Sequence, residues 1–233
     1  MTIAQDVYTV NILCYLFYMT ESYHHKNLRA DLISSGLRML NRDGIASFSL
    51  RKLSQELGVS HAAAYRHFSD KEDLLRAIFL ESSRMFRDAL SRSVRPDASG
   101  EEALMQLGIG YVRFYLDNPE ILGLFSLVPS EQNTLFSLFR GMDKDSADCR
   151  ELGIHTDFPD IETLPENSAF GLFRNIASSA GEHAPYNALS EREILLGFWS
   201  KVHGMAVLLV TQKNFIPAEE IDAVIDRVIR TPF

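Results

Sequence analysis

Residues 49–71 read SLRKLSQELGVSHAAAYRHFSDK, and their spacing predicts two short helices joined by a tight turn, with a third helix following. Ser49 is a candidate N-cap, because a hydroxyl there can accept an orphan amide of the first turn. Leu50, Leu53 and Leu57 recur at helical spacing. Gly58 comes next, where a left-handed residue ends a helix at little cost. Val59 is placed to plug the corner, and Ser60 is a second candidate cap. Ala64 and Phe68 supply the apolar face of the next helix. Two helices crossing through a short glycine-containing turn make a helix-turn-helix, whose second helix enters the DNA major groove.

The flanks extend this unit. A first helix is expected over residues 28–42, with Leu28, Leu32, Ile33, Gly36 and Leu40 on one face and Gly44 as its stop. Ser69-x-x-Glu72 has capping-box spacing and opens a fourth helix over residues 70–92. Leu74, Leu75, Ile78, Ser82, Met85, Phe86 and Ala89 form its inward face. The stretch Arg95-Pro96-Asp97-Ala98-Ser99-Gly100 marks a domain boundary.

Gly58-Val59-Ser60, Tyr65, His67-Phe68 and Lys71 together resemble the DNA-binding domain of TetR-type (TetR/AcrR) transcriptional regulators. The run Met19-Thr20-Glu21-Ser22-Tyr23-His24-His25-Lys26-Asn27-Leu28-Arg29 resembles the start of one TetR subgroup that opens Tyr-His-His-Gly-Asn-Leu-Arg, with Lys26 in place of the glycine. Trp199-Ser200-Lys201-Val202-His203-Gly204 is similar to the Trp-x-x-x-His-Gly run of the C-terminal (WHG-type) domain that accompanies that start. The expectation is a natural start at Met19, with residues 1–22 an N-terminal extension. Residues 23–95 then form the DNA-binding domain with its linking helix. Residues 96–233 form a helical effector-binding and dimerisation domain.

Charge distribution agrees with this division. The net charge of −8 argues against nucleic acid if taken globally. Residues 19–95, however, carry 13 Lys/Arg against 9 Asp/Glu, a net of +4, and residues 96–233 carry 10 against 21, a net of −11. A mildly basic unit on an acidic body suits a DNA reader whose other domain has a different task. Cys14 and Cys149 form no CxxC or Cys/His cluster, so a reducing cytoplasm is expected, with no disulfide framework and no metal. His24-His25 lacks a third ligand at metal spacing. Residues 10–19 (VNILCYLFYM) are apolar but too short to span a bilayer as a helix, and no Lys or Arg precedes Lys26. Neither export nor membrane insertion is expected.

The second domain reads as all helical, so the fold class is all-α. Helices are expected over residues 101–117, 118–128, 130–141, 167–181 and 190–211, with a last one starting at Pro217. Residues 143–165 are broken by Gly153, Pro159 and Pro165 and read as loop. Ser190-x-x-Glu193 is a further capping box. Apolar residues cover more than one face of residues 192–211. One side can face the body and another a second copy, with residues 218–230 completing a four-helix dimer interface.

The functional expectation is a homodimeric, ligand-responsive regulator, most simply a repressor, on a palindromic operator of double-stranded DNA. His61, Ala62 and Ala63 open a recognition helix read as residues 60–67 and face base edges. Arg66 pairs with guanine or lies along phosphates. The resemblance implies Tyr65, His67 and Lys71 as phosphate clamps, with Ser49 and Ser60 adding contacts. Tyr111, Phe114, Tyr115, Phe125, Phe136, Phe139, Phe170, Phe173 and Trp199 are candidates to line a pocket for an apolar or aromatic effector. His203 either joins them or hydrogen-bonds within the core. No cofactor is expected, and no Ser/His/Asp constellation supports an enzyme. The competing readings are control by a protein partner, an enzyme built on His203, and membrane attachment through residues 10–19.

Overall fold

The computed structural model describes residues 27–125, 168–182, 185–212 and 214–231. The expectations for residues 1–22, His24-His25, 130–141 and 143–165, and for Phe136 and Phe139, lie outside them. The described elements are helices α1 (Leu28–Ser47), α2 (Leu50–Glu56), α3 (His61–Tyr65), α4 (Lys71–Ser93), α5 (Gly100–Asp117), α6 (Pro119–Phe125), α7 (Ala169–Gly181), α8 (Glu191–Thr211) and α9 (Ile221–Arg230). The fold is all-α, an N-terminal helix-turn-helix followed by a helical body.

Helices α1 to α3 pack around one small core. Leu32, Met39, Phe48, Leu53, Ala64 and Phe68 are buried there. α1 runs past the expected stop at residue 42, to Ser47. Its backbone breaks at Gly44, where φ is 73°. The glycine therefore interrupts the helix as the sequence indicates, but the chain resumes helical geometry for one further turn. Gly58 also takes a positive φ, 68°, and lets the amide of Val59 reach the Ser54 carbonyl at 2.9 Å. That hydrogen bond closes the turn between α2 and α3.

α4 begins differently from the spacing of Ser69 and Glu72. Asp70 is the N-cap, accepting from the amide of Asp73 at 2.7 Å. The Asp73 carboxylate reaches back to the Ser69 amide at 3.0 Å. The reciprocal pair sits one residue later than expected because two carboxylates occupy the register, and an ionised carboxylate is the stronger acceptor of an orphan amide. α4 ends before Pro96, as expected. Its Leu74, Leu75, Ile78, Phe86 and Leu90 are buried, whereas Met85 is 39% exposed and does not belong to the inward face.

α4 packs on both α1 and α5, so it joins the N-terminal helices to the body. A second contact joins them too, since α6 packs against α1. Asn118 and Pro119 turn the chain from α5 into α6, and the Asn118 carbonyl accepts from Ile121 at 3.0 Å. α5 is the centre of the body, touched by α4, α6, α7, α8 and α9. The Ser190–Glu193 capping box is formed in full. α8 is apolar and long enough to cross a membrane by composition alone. Its Ile194, Phe198, Val202, Ala206 and Leu209 are instead buried in the body. The last helix is preceded by a 3-10 turn, Ala218–Glu220, and is held by Ile225 and Ile229, both fully buried.

Candidate nucleic-acid interface and effector site

α3 is shorter than residues 60–67. Its C-cap is Arg66, and Arg66 and His67 lie in the turn beyond it. The short helix still separates two faces. Ala64 and Phe68 are fully buried, while His61, Ala62, Tyr65, Arg66 and His67 are exposed and Ala63 is half-buried. Tyr65 is 53% exposed despite its large ring. An exposed aromatic beside cations is unusual on a core-forming helix and suits contact with another molecule.

Both serines act as caps. Ser49 Oγ accepts from the Lys52 amide at 3.2 Å, and Ser60 Oγ accepts from the Ala63 amide at 3.2 Å. Each hydroxyl proton remains a donor suited to a phosphate oxygen. Lys71 sits at the start of α4 with its ammonium 6.0 Å from the Phe48 ring centroid. It shares that turn with Asp70, Glu72 and Asp73, and Asp70 already accepts the Asp73 amide.

Further cations on this unit escape the sequence reading. Arg29 lies over the Phe68 ring at 5.3 Å, and Arg51 and Lys52 are exposed on α2. Lys52 Nζ donates to the Ser47 carbonyl at 3.1 Å. Their helical positions carry no motif, so only the packing of α1 against α3 and Phe68 reveals the Arg29 contact. Arg42 bridges α1 and α2 through Glu56 at 2.8 Å. That guanidinium holds the Glu56 carboxyl below its usual range.

In the body, most of the predicted aromatic residues meet. Tyr111, Tyr115 and Phe173 are almost fully buried, and Phe114 is buried beside them. Tyr111 contacts the rings of Tyr115 (5.0 Å), Phe173 (5.9 Å) and Trp199 (6.0 Å). Phe170 is 43% exposed and stacks on Trp199 at 4.5 Å. Phe125 lies on α6, its side chain outside the described set. Phe86, read from the sequence only as an inward residue of α4, sits in this cluster, 5.4 Å from Tyr111 and 5.1 Å from Phe114.

His203 is half-buried, and its Nδ1 lies 2.9 Å from the Tyr111 hydroxyl. Burial pushes the Tyr111 phenol up and the His203 imidazolium down, so both are neutral at pH 7. Separately, an open cleft of about 490 Å³ lies between α4 and α5. Its lining is mixed in charge, with Asp88, Arg92, Arg113 and Asp117 around Met85 and Phe114. Of the predicted effector residues whose side chains are described, only Phe114 reaches it. Among the described residues, no group of three or more His, Cys, Asp or Glu side chains has metal-binding geometry.

Residues 32–78 match the family of bacterial regulatory proteins described as the tetR family. An HTH-type transcriptional regulator of Staphylococcus aureus strain USA300 is 26% identical over 86 residues, 36% of this chain and 46% of that protein. The chain thus spans about half the length of the curated relatives it matches. A solved structure of a protein of unknown function from Rhodococcus sp. RHA1 is 25% identical, with a TM-score of 0.58 over 90% of this chain and 97% of that one. A TetR-family transcriptional regulator from Haemophilus influenzae RD shares the fold, with a TM-score of 0.55, 21% identity and coverage of 90% and 98%.

Proposed function

We propose that this chain, whose residues 32–78 match the tetR family, works as a homodimeric, ligand-responsive transcriptional repressor of that family in the cytoplasm. The observation that carries the reading is the exposed face of α3. It presents His61, Ala62 and Tyr65 to solvent while Ala64 and Phe68 anchor the helix from behind. His61, Ala62 and Ala63 read base edges in the major groove. Ser49, Ser60, Tyr65, His67 and Lys71 hold phosphates, and Arg66 serves either the bases or the backbone.

Such a short helix makes few base contacts, so specificity calls for two copies on two half-sites. The outer face of α8 supports pairing. Leu196 is 71% exposed and Leu208 48%, with Ser200 and Gly204 between them at four-residue spacing. A Cβ at Gly204 would meet nothing within 4 Å. Two large apolar residues flanking two small ones let a second α8 cross closely, with α9 beside it.

An effector in the body, held among Tyr111, Phe114, Tyr115, Phe125, Phe170, Phe173, Trp199 and His203, then shifts the two reading units out of register. It does so by binding the DNA-incompetent arrangement more tightly. α4 is the lever, and the α6–α1 contact is a second path. Residues 23–95 and 96–233 are the two working units, the latter of the Trp-x-x-x-His-Gly type. Selection of binding sites from random duplex DNA with the purified protein tests the reading. An imperfect palindrome is expected; recovery of no preferred sequence overturns it.

A further inference from the structure

We infer that Gly110 on α5 sets the spacing between the two DNA half-sites, by fixing how closely the end of α4 approaches the body. The inference rests on the dimeric DNA-reading function above and names a residue on which its geometry depends. A Cβ built on Gly110 would lie far inside contact distance of both Cβ and Oγ of Ser93, the last residue of α4. The two helices therefore meet at a separation that only glycine at position 110 allows. The crowding has no local escape. Ser93 Cβ is bonded directly to the backbone, and Ser93 Oγ donates to the Leu90 carbonyl at 2.7 Å. Gly36 differs, since a Cβ there would meet Ile78 Cδ1, the free end of a flexible side chain.

Attractive contacts hold the end of α4 in this close position. Leu90, on the same turn, is fully buried. Just past the helix, the Arg95 amide donates to Gln106 Oε1 at 2.9 Å. Gln106 precedes Gly110 by one turn, so the tie and the close approach lie on one face of α5. On the opposite side of the last turn Ser91 is exposed, so the end of α4 can swing outward into solvent.

Earlier in α4, Phe86 is buried against the rings of Tyr111 (5.4 Å), Phe114 (5.1 Å) and Tyr115 (5.5 Å). Interdigitated rings shift less readily than the final turn of a helix, which makes Phe86 the pivot. At about 1.5 Å per residue, the arm from Phe86 to Ser93 is roughly 10 Å long and the arm from Phe86 to Lys71 roughly 22 Å. Restoring an ordinary carbon–carbon separation of about 3.8 Å against a Cβ at position 110 moves Ser93 by ~1.5 Å. The longer arm roughly doubles that displacement at Lys71, to ~3 Å. α1 packs on α4, so the reading helices travel with the long arm. This travel is close to the rise of one base pair, about 3.4 Å, and each of the two copies contributes it.

The experiment selects binding sites from random duplex DNA with the full chain as wild type, as Gly110→Ala, and as the double variant Ser93→Gly with Gly110→Ala. Gly110→Ala should keep the half-site sequence, because α3 is untouched. It should change the preferred half-site spacing by about one or two base pairs and bind the wild-type operator roughly ten-fold more weakly. In the double variant the new Cβ faces the Cα of residue 93 at 3.9 Å, an ordinary contact, and the wild-type spacing should return. A purely structural role for Gly110 would lower affinity at every spacing alike, so the change of spacing is the decisive readout. Wild-type spacing in Gly110→Ala, or altered spacing that persists in the double variant, overturns the inference. So does loss of helical circular dichroism by Gly110→Ala, which would mean that the end of α4 cannot open about Phe86. A wild-type palindrome alongside any of those outcomes leaves the dimeric reading standing, whereas a wild-type protein that selects no palindrome overturns both.

Discussion

The carboxylate of Asp70 accepts the backbone amide of Asp73 at 2.7 Å, and this bond fixes where the helix linking the two halves of the molecule begins. The bond holds the Asp70 carboxyl below its usual range of 3.8. Asp70→Ala should cost about 1 kcal/mol of stability at neutral pH, the ordinary effect of removing an N-cap. Because the folded-state value is depressed, the contribution is present above pH 3.8 and fades as pH falls through the lower folded value. Asp70→Asn should keep most of the cap while flattening that acid limb. Urea unfolding at pH 7 and at pH 3 checks both statements.

On the proposed function, contacts to phosphate and to bases should be separable at α3 by substitution. Lys71→Ala should weaken binding to every operator variant and reduce the slope of log affinity against log salt by about 1. Tyr65→Phe should cost roughly 1 kcal/mol, the loss of one hydroxyl contact, without changing sequence preference. His61→Ala should instead alter the preferred base at one position of each half-site. Fluorescence anisotropy across a salt series and a panel of single-base variants distinguishes the cases. Equal loss on all variants for His61→Ala would reassign that side chain to the backbone.

The outer stripe of α8 should respond to charge. Leu196→Glu places a carboxylate at a position 71% exposed in the single chain. The folded monomer should therefore keep its stability within about 0.5 kcal/mol, as for an ordinary surface change. If two chains pair through this stripe, the same substitution should shift sedimentation velocity to the monomer and weaken operator binding at least ten-fold. A dimer that survives both Leu196→Glu and Leu208→Glu would exclude this face.

The turn between α2 and α3 depends on Gly58, whose φ of 68° an L side chain rarely adopts. No atom lies within 4 Å of a Cβ built there. Any penalty for Gly58→Ala is therefore conformational rather than steric crowding, and should be about 1–2 kcal/mol. Circular dichroism on heating measures it. An unchanged midpoint would mean that the turn relaxes to another geometry.

Much of this protein is legible in its residues because the relevant physics is local. Leu50, Leu53, Ala64 and Phe68 announce an inward face by spacing, and Gly58 and Ser60 mark the turn and cap by their own conformational preferences. The Ser190–Glu193 box is likewise complete within four residues. Local competition misleads where two acceptors are adjacent: Ser69 and Asp70 both qualify as caps, and the stronger acceptor takes the amide.

What the sequence by itself determined is the helix-turn-helix, the all-α class and which residues of α3 face the core. Only the tertiary structure decided that Phe86 joins the aromatic cluster, that Arg29 sits over Phe68, and that α6 touches α1. It also decided that Tyr111 meets His203 across 92 residues of chain, and that Leu196 and Leu208 remain uncovered while their neighbours are buried. The reason is physical. Caps, turns and helical faces depend on residues a few positions apart, whereas a hydrogen bond between distant helices depends on how every intervening side chain packs.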